Sequence, residues 1–339
     1  MFKNTVPLLI LFMFLSSSAY GVLENLLIDP VGTHNGFTGA AAVIVDDPSA
    51  LYYNPAGLIH IRDFGAIISY SKSLYNGDLY YLSCAKNFRK KGSLGLSLYR
   101  FNPDEKYVDY IEYNVFPNRD FSKYYDYSYF SVGWGVPVSK RLSVGLSAKA
   151  LKTERTYYRQ GLYTGKGFST DFGIQITNIL PRLTFQRTFP FYYPVSSYIK
   201  SLPVGFAIGA SIYNLGPKFT YFNSGIVRRE ELPCWFHVGA RYSIIQSNIL
   251  SLIVIYDYTD RLKPPDQIHY YRRQSYHIEI VLLQYVSIQY GKDFIRNANR
   301  AKFTTMGLSF GTQKIRLNYN VKAVNNHESL DYFGLSLLF

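Results

Sequence analysis

The stretch PVGFAIGASIY at 203–213 changes character at every residue. Val204, Phe206, Ile208, Ala210 and Ile212 fall on one side of an extended chain, and Gly205, Ala207, Gly209 and Ser211 on the other, because successive side chains of a strand point to opposite faces. LSVGLSAKA at 142–150 repeats the pattern, with Leu142, Val144, Leu146 and Ala148 opposed to Ser143, Gly145, Ser147 and Lys149. So does IRLNYNV at 315–321, where Ile315, Leu317, Tyr319 and Val321 oppose Arg316, Asn318 and Asn320. A helix would space its apolar residues three and four apart, so a period of two excludes helix here. One face is oily and the other wet, a description that also fits a soluble β-sandwich.

Three further features favour a membrane barrel. The polar faces carry Gly, Ser, Asn and long charged side chains, which suit a lumen. The chain holds 33 Tyr and 24 Phe, and they crowd strand ends, as in SKYYDYSYF at 122–130 and IHYYRR at 268–273. Aromatic girdles at two membrane interfaces use such an excess, whereas a sandwich core has little room for so many phenols needing partners. Finally, the alternation marks fourteen strands, near 64–71, 78–86, 93–101, 125–134, 141–152, 166–177, 203–213, 234–244, 249–259, 275–282, 285–291, 302–310, 314–321 and 330–339. An even number of strands, each about ten residues long, matches the requirement for a closed barrel. Short connections (87–92, 245–248, 311–313) alternate with longer ones (102–124, 262–275, 292–301), the expected contrast between periplasmic turns and outer loops. The exception is an inner connection at 178–202, basic through Arg182, Arg187 and Lys200 and built around FPFYYP. Mean hydropathy is −0.06, and no apolar run after the N-terminus is long enough for a membrane helix.

The first 21 residues read as a secretory signal peptide: Lys3, an apolar run at 6–15, then Ala19 and Gly21 before a cleavage site. No Cys follows that site, so a lipoprotein anchor is not indicated. The formal charge is +13, and loss of Lys3 leaves the mature segment at +12. Its basic residues are scattered, and export removes the chain from nucleic acid, so the charge suits an anionic lipid surface such as lipopolysaccharide. Cys84 and Cys234 fall on the apolar faces of the second and eighth strands, too far around a wall to bond. The chain ends FGLSLLF, and Phe333, Leu335, Leu337 and Phe339 share one face. Such an apolar edge must find a partner in lipid. With Gly334, Leu337 and Phe339 it also resembles the C-terminal signal read by the outer-membrane insertion machinery, except that Phe333 stands where a polar residue is usual.

GFTGAAAVIVDDPSALYYNPAGL at 36–58 resembles the N-terminal signature of the FadL-like outer-membrane proteins, most closely the PorV/PorQ branch. YNLGPKFTYF, ELPCWFHVGARYSI, LSLIVIYDYTD and DYFGLSLLF follow in that branch's order. The resemblance implies a fourteen-stranded all-β transmembrane antiparallel barrel at 63–339, with a hatch at 22–62 folded inside the lumen. It also implies either passive, hatch-gated passage of hydrophobic small molecules such as long-chain fatty acids, or the docking of secreted protein cargo for a secretion system.

Residue chemistry adds to this. Asp47 before Pro48 makes a cap and first helical position, so 48–53 can form a helical turn. Asn54-Pro55 should end it, and Ala56-Gly57 permit a tight bend. The hatch motif is therefore Asp46, Asp47, Pro48, Asn54, Pro55 and Gly57, with small residues at 39–42 for close packing. Lys149, Asp171, Arg241, Asp257 and Arg316 form an inward charged set expected to solvate the lumen and hold the hatch. The six His show no metal-ligand spacing. His237 and Arg241 share a polar face with Asp257 on the next strand; these read as lumen ion pairs, with a Ser-His-Asp arrangement as the alternative that geometry decides. No catalytic residue, cofactor or metal is expected.

Overall fold

A computed structural model describes residues 47–72, 77–102, 122–157, 161–179, 205–223, 225–246, 249–262, 272–283, 285–296, 302–312, 314–324 and 328–339. The leader, residues 22–46 with Asp46 and the small residues at 39–42, and nearly all of the 178–202 connection lie outside the described residues.

The wall begins with β1 (Phe64–Lys72), β2 (Asp78–Asn87), β3 (Ser93–Asn102), β4 (Ser122–Pro137), β5 (Leu142–Tyr157), β6 (Gly161–Ile176) and β7 (Phe206–Leu215). A short hairpin follows, β8 (Phe219–Asn223) and β9 (Ile226–Glu230), and then β10 (Trp235–Gln246), β11 (Leu250–Arg261) and β12 (Arg272–Leu282). The remaining strands are β13 (Val286–Arg296), β14 (Lys302–Gly311), β15 (Ile315–Val324) and β16 (Glu328–Leu338). All are antiparallel to their neighbours. β1 to β7 and β10 to β16 form a ring of fourteen, closed where β1 pairs β16 from Gly65↔Leu338 to Ser71↔Tyr332. Phe64 and Phe339 exchange both backbone hydrogen bonds at the foot of that seam, at 3.1 and 2.7 Å. A closed ring leaves no strand edge facing lipid.

The alternation in the sequence maps onto two wall faces. Ile68, Leu146, Met306 and Leu317 are each more than half exposed on the outside, while their neighbours Ser69, Ser147, Thr305 and Arg316 are buried inside. Phe88 stacks on Trp134 and Phe64 packs on Phe339 at the end bearing the short turns. Toward the loop end, Tyr70 packs on Tyr80 and Tyr319 on Phe333. There the hydroxyls of Tyr70 and Tyr319 donate to Asp78 and Asp331, as amphipathic rings at a membrane interface should. Cys84 and Cys234 are free thiols.

Two expectations are corrected. β4, β5 and β6 are 16 residues each rather than about ten, and β12 and β13 reach Arg272 and Arg296, so the loop-end connections are shorter than the sequence suggested. The β8–β9 hairpin was not expected; β8 continues the wall above β7 by pairing with the upper part of β6.

Candidate functional site

Residues 47–60 lie inside the ring, against its turn end. Asp47 accepts a hydrogen bond from the backbone N–H of Ser49 at 2.8 Å, but the expected cap at Asp47 with Pro48 as the first helical position is corrected: α1 is Ala50–Tyr53 with Ser49 at its N-cap position, and no side chain caps it because the Ser49 hydroxyl is turned to Asp47. Asn54 ends α1 in an extended conformation and its side chain accepts from the Ala56 N–H at 3.1 Å. The expected tight bend at Ala56-Gly57 is instead part of a 3-10 helix, Pro55–His60. Asn54 supplies its N-cap and Pro55 the preset φ of its first position.

Five inward-facing glycines make the seat. A side chain at Gly133 would overlap Leu51, at Gly145 the Pro55 backbone, and at Gly173 Asn54; Gly135 and Gly95 face Pro55 and Leu58. These residues belong to β3, β4, β5 and β6, so one quadrant of the wall is cut back to admit the segment. Hydrogen bonds fix it: Ser83 donates to the Pro48 carbonyl and Ser211 to the Tyr53 carbonyl, each at 2.9 Å. The Asn54 amide donates to the carbonyls of Ile174 and Ala210, at 3.2 and 3.4 Å. Asp47, Asn54 and Leu58 are buried, as are Pro48, Pro55 and Gly57.

Above this segment the same quadrant becomes aromatic. Tyr52 stacks toward Tyr99, and Tyr99 lies flat on Tyr129 with centroids 4.9 Å apart. Tyr127 meets both Tyr99 and Tyr129 edge-on, and Phe219 of β8 fills the space above Gly165 and Gly167 of β6. At the border between segment and aromatics lies Lys149. Its ammonium contacts Asp171 at 2.8 Å and Asn214 at 3.2 Å, and sits 5.4 Å from the Tyr129 ring centre and 5.8 Å from that of Tyr52. Asp171 also accepts from Ser147 and from the Asn214 backbone N–H, at 2.7 and 2.9 Å. The β6–β7 register shifts between Thr170 and Phe172, and Asn214 is left-handed at φ 61°. The carboxylate thus takes up an N–H that the bulge removes from the ladder.

The opposite wall is charged. His237 is paired with Asp257, and the Tyr213 hydroxyl lies 3.4 Å from its other ring nitrogen. Arg241 is buried on the same inner face of β10 and Arg316 on that of β15. His277 and Lys322 both meet Asp293, at 3.2 and 3.0 Å. The five inward charges read from sequence therefore divide: Lys149 with Asp171 on one wall, Arg241 and Asp257 across from them on β10 and β11, and Arg316 on β15. The His237 nitrogens face Asp257 and Tyr213, and Ser211, opposite His237 in the ladder, donates to the Tyr53 carbonyl, so neither His237 nitrogen is paired with a serine among the described residues. Sequence reasoning missed the glycine seat and the His277–Asp293–Lys322 cluster. A run of inward Gly on adjacent strands was the available signal for the first.

Fold and interior together define a class: a closed fourteen-stranded transmembrane β-barrel, here with residues 47–60 lodged in the lumen. Solved barrel structures resemble this chain along nearly its whole length. The monoaromatic hydrocarbon channel CymD superposes with a TM-score of 0.57 at 11% identity, over 93% of this chain and 98% of that one. A Pseudomonas aeruginosa FadL homologue gives 0.55 at 11%, over 88% and 95%, and the Ralstonia pickettii toluene transporter TbuX gives 0.54 at 10%, over 89% and 96%. No family model matches the sequence, and no curated protein does. The likeness is one of fold.

Proposed function

We propose that this chain is a bacterial outer-membrane barrel that gives passive passage to hydrophobic small molecules, long-chain fatty acids and monoaromatic hydrocarbons among them, with its N-terminal residues 22–62 as the gate. The observation that carries the reading is the glycine seat: a quadrant of wall is shaped to hold residues 47–60 across the turn end, directly beneath an aromatic-lined interior. Apolar lining with few polar groups is what hydrophobic ligands require. The FadL-like fold, the outward apolar belt and the leader-like N-terminus support the location. The reading carries with it the insertion machinery as a partner for Gly334, Leu337 and Phe339, and lipopolysaccharide around the exposed loop-end cations Arg100 and Lys152.

Uptake into vesicles holding the purified barrel tests it. Toluene and oleate should enter several-fold faster through a variant lacking 22–58, and through Gly145→Val, whose side chain unseats Pro55, while the folded barrel remains. Unchanged uptake in both variants, with surface proteins co-purifying with the native chain and lost from the variants, would replace this reading with the cargo-docking one.

A further inference from the structure

The geometry points to a ligand that is hydrophobic but carries a neutral oxygen acceptor, such as a ketone or ester, bound in the aromatic quadrant by the hydroxyls of Tyr127 and Tyr129. This rests on the channel reading and names its preferred substrate class.

Both residues face inward from β4, two positions apart, with rings 6.1 Å between centroids. They are 1% and 3% exposed, and neither hydroxyl has a hydrogen-bond partner. A buried phenol normally finds one, because leaving it unmade forfeits solvation. Two such donors on one inner face are therefore a standing deficit that a ligand can relieve. Both hydroxyl oxygens are closed off from solvent in this state, so a ligand reaches them only as the packed rings part. A carbonyl oxygen has two lone pairs and accepts from either phenol or both. The neighbouring ring stack of Tyr99 on Tyr129 supplies flat apolar surface for the rest of the molecule.

The charge balance argues for a neutral acceptor over a carboxylate. The cation at the border of this quadrant, Lys149, is already engaged by Asp171 and Asn214. An incoming anion would have to compete with a preformed, buried carboxylate, and an unpaired buried anion is far costlier than a buried ketone. A pure hydrocarbon can pack against the rings but leaves both hydroxyls unpaired. Sites built to hydrogen-bond discriminate strongly against ligands lacking the matching group.

The test uses the full-length barrel in detergent with three probes of similar size: toluene, acetophenone and benzoate at pH 8. Their affinities are measured for the native chain and for the Tyr127→Phe/Tyr129→Phe double variant. The variant should lose about tenfold in acetophenone affinity, as expected for one to two lost hydrogen bonds, and keep its toluene affinity. Benzoate should be the weakest ligand of the native barrel. Equal losses for acetophenone and toluene, or benzoate as the tightest ligand, would overturn the inference while leaving the channel standing. Binding of none of the three, with uptake insensitive to the gate variants, would remove the channel reading as well.

Discussion

Lys149 and Asp171 illustrate how much a single position reveals. Their inward orientation follows from strand parity alone, because each alternates with apolar neighbours. Their pairing does not, since they meet through a register, Ser147↔Asp171 and Lys149↔Ser169, that no single strand encodes. The third member, Asn214, was invisible to alternation because it sits where the strand breaks its period. The pair is almost wholly buried, with 3% and 1% side-chain exposure, so removing one charge should be much worse than removing both. Lys149→Met is expected to cost about 3–5 kcal/mol, and Lys149→Met/Asp171→Asn to recover most of it, read as denaturant midpoints of the detergent-folded barrel. Equal destabilisation by the single and double variants would show that the ammonium contributes nothing beyond its packing.

At the scale of elements, the fourteen wall strands were legible because membrane and lumen impose opposite demands on adjacent residues. Legibility failed where those demands cease. The loop-end halves of β4, β5 and β6 carry Asp126, Ser128, Lys152, Glu154, Thr164 and Lys166 on their outer positions instead of aliphatics, so periodicity fades before the ladder does. β8 and β9 are five residues each, too short for a periodic signal, and β8 is marked only by Phe219 and Tyr221 facing the Gly165 and Gly167 positions. Within residues 47–60 the break at Asn54 was legible, the cap fell at Ser49 rather than Asp47, and the 3-10 turn was missed because its spacing depends on the seat beneath it. Depth in the bilayer gives the wall its own test. Met306, 57% exposed near the middle of β14, should cost about 2–4 kcal/mol when changed to Arg, measured by reversible unfolding from lipid vesicles. A cost near zero would place that position outside the hydrocarbon.

For the whole molecule the decisive contact is the ring closure. Phe339 donates to and accepts from Phe64 and packs its ring 6.4 Å away, so these two residues complete the foot of the seam. Phe339→Ala should retain those backbone bonds yet slow assembly, with a larger share of the protein running at its boiled mobility in unheated gels at early times. Folding kinetics indistinguishable from the native chain would remove Phe339 from the assembly step. The two lumen walls also belong to this scale: glycine and aromatic residues, with the Lys149–Asp171 pair among them, occupy the arc from β2 to β8, and most of the other buried charges lie on the arc from β10 to β15. Neither arc is a property of any one strand, which is why composition averaged them into an unremarkable hydropathy.

The seat and the seam together impose an order of events. Residues 47–60 rest on β3 to β6 inside a ring whose closing pair, β1 with β16, joins strands at opposite ends of the described chain. Pairings between distant parts of a sequence form late, because the intervening chain must first be ordered. Loop-closure entropy therefore favours laying those residues against an open, curved sheet before it shuts. Residues 47–60 then belong to the surface on which the wall is assembled, and a variant that cannot seat them should close its ring more slowly.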